Sequence, residues 1–294
     1  MNAKTASSRE GYWPRPGSPA WRFLDDPVGG VSLLVIVLVV ALVIFAPLLT
    51  RYAAQGLGDP NLVEKLQPPS SLHFMGTDQL GRDIWARILY GGRISLSIAT
   101  GVVALSVLIG VPLGLLAGYF GGWIDELTMR ATDVFLAFPP LLLAIFLSAL
   151  FGPGLLNMAL AISLGWWPWY ARLARAQALT IRQRPYVEAA HVMGVRSHTI
   201  ITRHLLPTVT GPVTIQATLD FGSAVLTAAS LSFLGLGLPP PAPDWGQMIA
   251  AGRIYFPDRW WLVVFPGLII FVVALAFNML GDSVREATAP TRHS

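Results

Sequence analysis

Long uncharged apolar stretches are the feature that most constrains the fold of this chain. No charged residue lies from Val31 to Leu49, and none lies between Arg93 and Asp125. A helix that crosses a bilayer needs about 20 mostly apolar residues, so each stretch predicts a transmembrane helix, the second ending near Gly118 to Gly122. The 12% of charged residues is about half the fraction usual in soluble domains. The chain is therefore predicted to be an integral membrane protein.

Four more spans follow from the same pattern. The uncharged run from Val134 to Ala171 is too long for one helix, and Gly152-Pro153-Gly154 is expected to divide it into two. A fifth span is predicted from Pro212 to Leu236, interrupted only by Asp220, and a sixth from Trp260 to Leu280. The sequence thus predicts an all-α integral membrane protein with six transmembrane helices.

The placement of arginine predicts which side of the membrane each connection occupies. The connection after the fourth span, at about 172–207, contains a single acid, Glu188, and six basic residues: Arg172, Arg175, Arg182, Arg184, Arg196 and Arg203. The N-terminal segment adds four more: Lys4, Arg9, Arg15 and Arg22. Because basic residues favour the cytoplasmic side, we expect this connection and both termini to be cytoplasmic.

Several classes of function lack the residues that they need. The only lysines, Lys4 and Lys65, lie in no glycine-rich phosphate-binding loop, so we expect any ATP to be hydrolysed by another polypeptide. No GxSxG elbow is present, no acid or third ligand accompanies the pair His191 and His198, and the chain has no cysteine. We predict no catalytic residue and no metal site. Nucleic acid is a poor candidate partner, because the arginines lie beside apolar spans.

The segment from Glu188 to Pro207 is a polar, arginine-bearing island between apolar spans. Glu188 suits a helix start, Ala189 and Ala190 allow another surface to approach closely, and Gly194 permits a turn or a tight contact. Pro207 is expected to limit the helix before the fifth span. The spacing is consistent with a short helix that docks on a soluble protein, and equally with an ordinary charged loop.

This segment resembles the cytoplasmic signature of bacterial ABC importer permeases. The matching residues are Glu188, Ala189, Ala190, Gly194, His204, Leu206 and Pro207. Many members carry Ile at the position of His204, and a His at this position resembles the dipeptide and oligopeptide branch of the family. Further stretches resemble the C-type permease of the dipeptide, oligopeptide and nickel importer group: His73–Asp83, which includes Gly76, Thr77, Asp78, Gly81, Arg82 and Asp83, then Leu231–Gly237, Asp244-Trp245-Gly246 and Asn278–Asp282.

The resemblance implies a type I ABC importer permease fold with a cytoplasmic coupling helix. It implies a bacterial or archaeal cytoplasmic membrane, a homologous second permease, two ATP-binding subunits that use ATP and Mg, and an extracytoplasmic substrate-binding protein. No cofactor is expected in this chain. The expected layout is a cytoplasmic segment at 1–30, a first transmembrane helix at 31–50, an external segment at 51–93, a permease core of five helices at 94–282, and a cytoplasmic tail at 283–294. The coupling loop lies at about 172–207 within that core.

Some alternatives stay open. Asp220 either lines the translocation path or contacts the second permease. The motif from Gly76 to Asp83 either contacts the binding protein or braces the helix bundle. The expected solutes are dipeptides or oligopeptides, and nickel chelates, glutathione-like compounds or oligosaccharides are the alternatives. A stand-alone secondary transporter or channel is the competing class, but only Asp220 is available inside a span as a titratable group.

Overall fold

The described part of the chain is helical. The computed structural model describes residues 26–288, so most of the predicted N-terminal segment and the end of the tail lie outside the described residues. The α-helices are α1 (Pro27–Ile44), α2 (Ala46–Leu49), α3 (Ala53–Leu57), α4 (Ile84–Phe120), α5 (Gly122–Leu136), α6 (Pro140–Phe151), α7 (Leu155–Arg182), α8 (Pro185–Val192), α9 (Ser197–Ile200), α10 (Leu206–Phe233), α11 (Trp245–Gly252) and α12 (Trp261–Thr288). Between them lie 3₁₀ turns at Leu62–Glu64 and Arg253–Tyr255 and a π-helical segment at Ile201–Leu205. Residues 26–288 contain no β-strand, and one isolated bridge joins Thr77 to Asp83. The predicted all-α class is confirmed.

Three helices are long and apolar enough to cross a membrane. They are α1, α4 and α12, and the bent pair α5–α6 would make a fourth if it is one span, by length and composition. Helices α7 and α10 have 28 residues each, as α12 does, but they are less apolar. The count of six spans therefore stays a prediction.

The third span differs from its expected form. The sequence predicts a third span from Val134 to the break at Gly152–Gly154, in which Pro139 and Pro140 either kink the helix or mark a helix end. The structure has two helices there, α5 and α6, whose axes differ by 89°. Pro139 and Pro140 lie at the break, where Pro140 begins α6. With 12 residues, α6 is about 18 Å long, shorter than the roughly 30 Å hydrocarbon core. The predicted break at Gly152–Gly154 is confirmed.

Helix α4 is the longest helix and begins inside the segment that the sequence predicts as external. Asp83 caps its start, where Oδ1 accepts a hydrogen bond of 2.7 Å from the Ala86 N–H. The helix has 37 residues and ends at Phe120, within the predicted interval. At 1.5 Å per residue it is about 55 Å long.

The main packing contact joins α4 to α7 through small residues. Gly110, Gly114 and Gly118 face α7, and a Cβ on Gly114 would overlap the Ala171 carbonyl. Because glycines at a four-residue spacing let two backbones touch, the pair packs without intervening side chains. This contact joins the two long helices into one unit.

Candidate functional site

The signature segment, Glu188–Pro207, begins on the short helix α8. Pro185 occupies its first turn, where its missing N–H leaves no hydrogen bond unmade. Glu188 is also in the first turn and is exposed, so its charge suits the positive end of the helix. Ala190 is buried and Ala189 is exposed. Of the two alanines, therefore, only Ala189 is open to a partner.

Gly194 ends this helix in a left-handed turn. Its φ is +75°, and nothing lies within 4 Å of the position that a Cβ would take. The Gly194 N–H donates to the His191 carbonyl, and the Val195 N–H donates to the Ala190 carbonyl. This is the Schellman arrangement. The structure thus gives Gly194 the turn, which is one of the two roles expected for it.

The prediction that Pro207 limits the helix is wrong. The chain passes from α9 through the π-helical Ile201–Leu205 directly into α10, and Pro207 lies in the first turn of α10. A π-helical turn inserts an extra residue into the helix, so the hydrogen-bond pattern changes just before Pro207, which has no N–H to donate. His204 is half-buried, with its ring 5.9 Å from that of Tyr186, and Leu206 is exposed.

In this segment a group of exposed apolar side chains, the tip, lies above a group of buried ones, the base. The side chains of Tyr186, Val192 and Met193 are 51%, 88% and 75% exposed. Beneath them, Ile200 and Leu205 are fully buried and pack in one cluster with residues near the ends of α4 and α7. Exposed apolar surface of this kind is typical of a protein contact. A force on the tip would therefore reach the long helices through packed side chains.

Two arginines on α7 join α5 by ion pairs on the side of the molecule that carries the signature segment. Arg175 binds Asp125 with two hydrogen bonds, of which the Nη2–Oδ2 bond is 2.6 Å. Arg172 binds Asp133 at 2.6 Å. These acids lie in the acidic connection of the sequence, so two of the six arginines in the 172–207 connection are paired within the chain.

Asp220 lies on α10 at the edge of an open cleft. Its Oδ1 accepts a hydrogen bond of 2.9 Å from Gln216 Nε2, and the residue is half-buried. The cleft has a volume of about 790 Å³, and its lining is Pro140, Leu141, Trp166, Trp169, Arg172, Leu173, Gln216, Asp220, Ser223 and Thr227. An intramembrane acid is expected to face protein or water, and here it faces a cleft with both aromatic and polar walls.

The second predicted motif lies at the other end of α4 and is largely buried. Thr77 is fully buried, where its hydroxyl accepts from the Gln67 N–H and donates to the Glu64 carbonyl. Asp78 accepts hydrogen bonds from the Leu80 and Arg82 N–H groups. A Cβ on Gly76 or Gly81 would overlap neighbouring backbone, and both have positive φ. These contacts join residues of the loop to one another and hold it in one conformation.

A buried histidine holds the same loop, and sequence reasoning did not find its partners. His73 is 3% exposed. Its Nδ1 lies 2.8 Å from Asp83 Oδ2, and its Nε2 lies 3.2 Å from Glu64 Oε2. The two acids lie nine and ten residues away in irregular chain, where no periodic spacing signals a contact. Residues 26–288 hold no group of three or more side chains suited to a metal ion.

Asp244, between α10 and α11, is also buried. Its Oδ1 accepts hydrogen bonds from the Ser95 hydroxyl at 3.1 Å and from the Gly246 N–H at 3.2 Å. Next to it, Trp245 Nε1 donates to the Ile88 carbonyl at 2.9 Å. Burial raises the pKa of the Asp244 carboxyl, and the hydrogen bonds from Gly246 and Ser95 oppose this effect. Asp244 and Trp245 therefore fasten α11 to α4.

The raised pKa of Asp244 predicts a pH effect on stability. When the pKa of a carboxyl in the folded state lies above its ordinary value of 3.8, its contribution to stability is complete below pH 3.8. This contribution is lost as the pH rises through the folded-state pKa. Lowering the pH from neutral towards 3.8 should therefore raise the unfolding midpoint of the wild type relative to that of Asp244→Asn. Thermal unfolding of both proteins at each pH measures the difference. A constant difference across this range would contradict the prediction.

Comparisons with known proteins agree on one family. The family described as "binding-protein-dependent transport system inner membrane component" matches residues 110–291, and the "N-terminal TM domain of oligopeptide transport permease C" matches residues 18–69. The dipeptide transport system permease protein DppC of Alkalihalophilus pseudofirmus is 43% identical over 99% of this chain and 100% of its own. The probable D,D-dipeptide transport system permease protein DdpC of Escherichia coli is 41% identical over 92% and 90%. The glutathione transport system permease protein GsiD of Pectobacterium atrosepticum is 41% identical over 94% and 91%.

Solved structures support the fold. A chain of the inward-facing MetNI methionine ABC transporter is similar with a TM-score of 0.54 and 18% identity, over 70% of this chain and 98% of that one. An amino acid ABC transporter chain is similar with a TM-score of 0.51 and 17% identity, over 67% and 91%. At this identity the likeness concerns the arrangement of helices and not the solute.

Proposed function

Because the chain belongs to the family of binding-protein-dependent transport system inner membrane components, we propose that it is the transmembrane subunit of an ATP-driven importer of dipeptides or other short peptides. The predicted resemblance to ABC importer permeases is confirmed. The chain is a membrane-embedded transport subunit and not an enzyme, so it works with a partner ATPase and a substrate-binding protein. Two relatives are dipeptide permeases by name and one is a glutathione permease. Peptides are therefore the first candidate solute and glutathione-like compounds the second.

The observation that carries the coupling role is the exposed apolar tip of the signature segment. Val192 and Met193 are 88% and 75% exposed, whereas Ile200 and Leu205 beneath them are fully buried. A cleft of about 750 Å³ borders the tip, with Glu188 and His191 in its wall. Such a surface suits a groove in a soluble ATPase subunit. In the proposed assembly two ATPases pair with this chain and a homologous second permease.

In the proposed mechanism, ATP-driven closure of the ATPases moves the tip. Because the buried base packs on the ends of α4 and α7, the tip and these helices move together. The helices then tilt between inward-facing and outward-facing arrangements, which nucleotide binding biases. This chain contributes half of the path between them.

Asp220 is the proposed polar contact of that path. It faces a cleft of about 790 Å³ that also contains Arg172 and two tryptophans. A peptide carries one positive and one negative end, and Asp220 is placed to bind the positive one. We expect Asp220→Asn to reduce peptide uptake about tenfold, the loss typical of a charge-assisted contact, without changing the affinity of the binding protein. Uptake into proteoliposomes measures this, with Thr227→Ser as a control that keeps the cleft polar and leaves the bond between Gln216 and Asp220 in place. Equal uptake by wild type and Asp220→Asn would place the residue at an interface instead.

Co-purification tests the proposed assembly. A tagged chain extracted in mild detergent should bring down a second permease and two copies of ATP-binding subunits, and the reconstituted complex should accumulate labelled dipeptide only with ATP and the binding protein. Transport by the purified chain alone, without ATP, would contradict the proposal and favour a stand-alone transporter.

The proposed topology places both termini and the signature segment in the cytoplasm. The chain has no cysteine, so a single introduced cysteine reports its own location. A membrane-impermeant maleimide should label Leu72→Cys in intact cells, and should label Glu126→Cys, on the side of the molecule that carries the signature segment but outside the tip, only after permeabilisation. Both side chains are exposed, at 67% and 70%, so accessibility is matched. Labelling of Glu126→Cys in intact cells would invert the topology.

A further inference from the structure

A small cavity lies at the end of the molecule opposite the signature segment, where α4 begins. Its volume is about 160 Å³, and its lining is Asp78, Gln79, Leu80, Arg82, Ile84, Arg87, Pro240, Gln247, Met248, Ala251 and Leu262. One part of the wall is charged and the opposite part is apolar. A volume of this size holds about five water molecules at roughly 30 Å³ each, enough for a carboxylate on a short aliphatic group.

The charged wall has one more cation than it has anions. Arg82 Nε lies 2.7 Å and Arg87 Nε 3.7 Å from the same atom, Asp78 Oδ2. The side chains of the two arginines are 7% and 4% exposed. One carboxylate therefore faces two buried guanidinium groups.

The hydrogen bonds of Arg87 are left incomplete. Its Nε is buried and has no hydrogen-bond partner, and its Nη1 donates to the Pro241 carbonyl at a long distance of 3.4 Å. Arg82 is bonded through Nε to Asp78, and within residues 26–288 its terminal nitrogens form no hydrogen bond. A buried donor without an acceptor is costly, so Arg87 Nε needs an acceptor.

The nearby acids on the same loop do not supply that acceptor. Asp83 binds His73 and the Ala86 N–H, and Glu64 binds His73 and Asn61. Both carboxylates are thus bound by other groups of the loop, and neither accepts a hydrogen bond from Arg87 Nε.

We propose that this cavity binds a carboxylate group, which accepts hydrogen bonds from Arg87 Nε and the terminal nitrogens of Arg82. Arginine is the side chain best suited to a carboxylate, because its planar donors match the two oxygens. Met248, Ala251 and Leu262 then contact the aliphatic part of the ligand. The carboxylate has two possible sources with this chemistry, the C-terminus of a peptide and an acidic side chain of a protein docked on this end. The site itself does not depend on which solute the importer carries.

Ligand-dependent stability tests the site in the purified full chain with the subunits that co-purify with it. The probes are sodium acetate against sodium chloride at equal ionic strength, and N-acetyl-alanyl-alanine against its C-terminal amide. For the wild type we expect the carboxylate probes to raise the unfolding midpoint by about 3 °C at a concentration about tenfold above Kd. Arg87→Gln should lose this rise. Arg259→Gln, which removes an exposed arginine, should keep it.

Each comparison is made within one protein, so a lower basal stability of Arg87→Gln does not affect the result. Arg87→Lys keeps the charge without the Nε donor, and we expect it to lower the affinity for acetate about tenfold. A larger rise with the peptide acid than with acetate assigns the carboxylate to a peptide C-terminus, and a rise with acetate alone assigns it to an acidic side chain. Equal wild-type midpoints in acetate and chloride, or an undiminished acetate effect in Arg87→Gln, would overturn the proposal.

Discussion

Replacing Gly194 with valine is expected to abolish most ATP-driven uptake while the complex continues to hydrolyse ATP. Gly194 has a φ of +75°, a conformation that costs a β-branched residue about 1–3 kcal/mol. To relieve that strain, the chain must give up the turn that holds Val192 and Met193 at the end of α8. The displaced tip would no longer move the base of the segment together with the ATPase. We therefore expect uptake to fall by about tenfold or more.

The measurement is uptake and ATP hydrolysis by the same proteoliposomes. Gly211→Val is the matched control, because Gly211 is exposed on α10, has no positive φ, and has open space around its Cβ position. Glu188→Gln, at the exposed start of α8, should show a weaker loss in the same direction. Affinity for the binding protein should stay unchanged in all three. Wild-type uptake by Gly194→Val would exclude the docking role of the segment.

Replacing Gly114 with leucine is expected to have the largest effect on stability. A Cβ at this position would overlap the carbonyl carbon and oxygen of Ala171 and the Ala174 side chain. Because the backbone of a packed helix cannot move away as the end of a flexible side chain can, α4 and α7 must separate. Overpacking of a well-packed contact costs about 1–3 kcal/mol and occasionally more, and the backbone clash places this variant at the upper end.

We expect the unfolding midpoint of Gly114→Leu to fall by about 5–10 °C. Gly267→Leu is the control, since Gly267 lies inside a transmembrane helix with nothing within 4 Å of its Cβ position. The measurement is thermal unfolding in the same detergent, followed by the yield of assembled complex. Similar midpoints for the two variants would mean that the α4–α7 contact adapts to the added volume.

The apolar pattern predicted most helices because burial in lipid demands long uncharged runs. It also placed the break at Gly152–Gly154 and the end of α4. It gave no sign of the 89° bend between α5 and α6, because the sequence stays uncharged there, and only Pro139 and Pro140 indicated a kink or a helix end. The π-helical turn before Pro207 was missed for a similar reason, since the backbone adjusts to the proline with no change in composition.

The candidate sites also divide into residues whose role the sequence predicted and residues whose role only the structure shows. The signature segment was recognised from its residues. The position of its exposed tip depends on one further feature, the turn at Gly194. The roles of Arg87, Glu64 and Asp244 came from the structure alone. Asp244 meets Ser95 across 149 residues of chain, and such pairing follows from how the helices pack rather than from local spacing.

The length of α4 connects two regions that have been described separately. Its first residues border the carboxylate cavity, and its last residues, Tyr119 and Phe120, border the cleft beside the signature segment. If this helix of about 55 Å pivots near its middle, a tilt of about 10° displaces each end by about 5 Å in opposite directions. The helix would then act as a lever, and ligand release at one face of the membrane would be timed by the state of the nucleotide at the other.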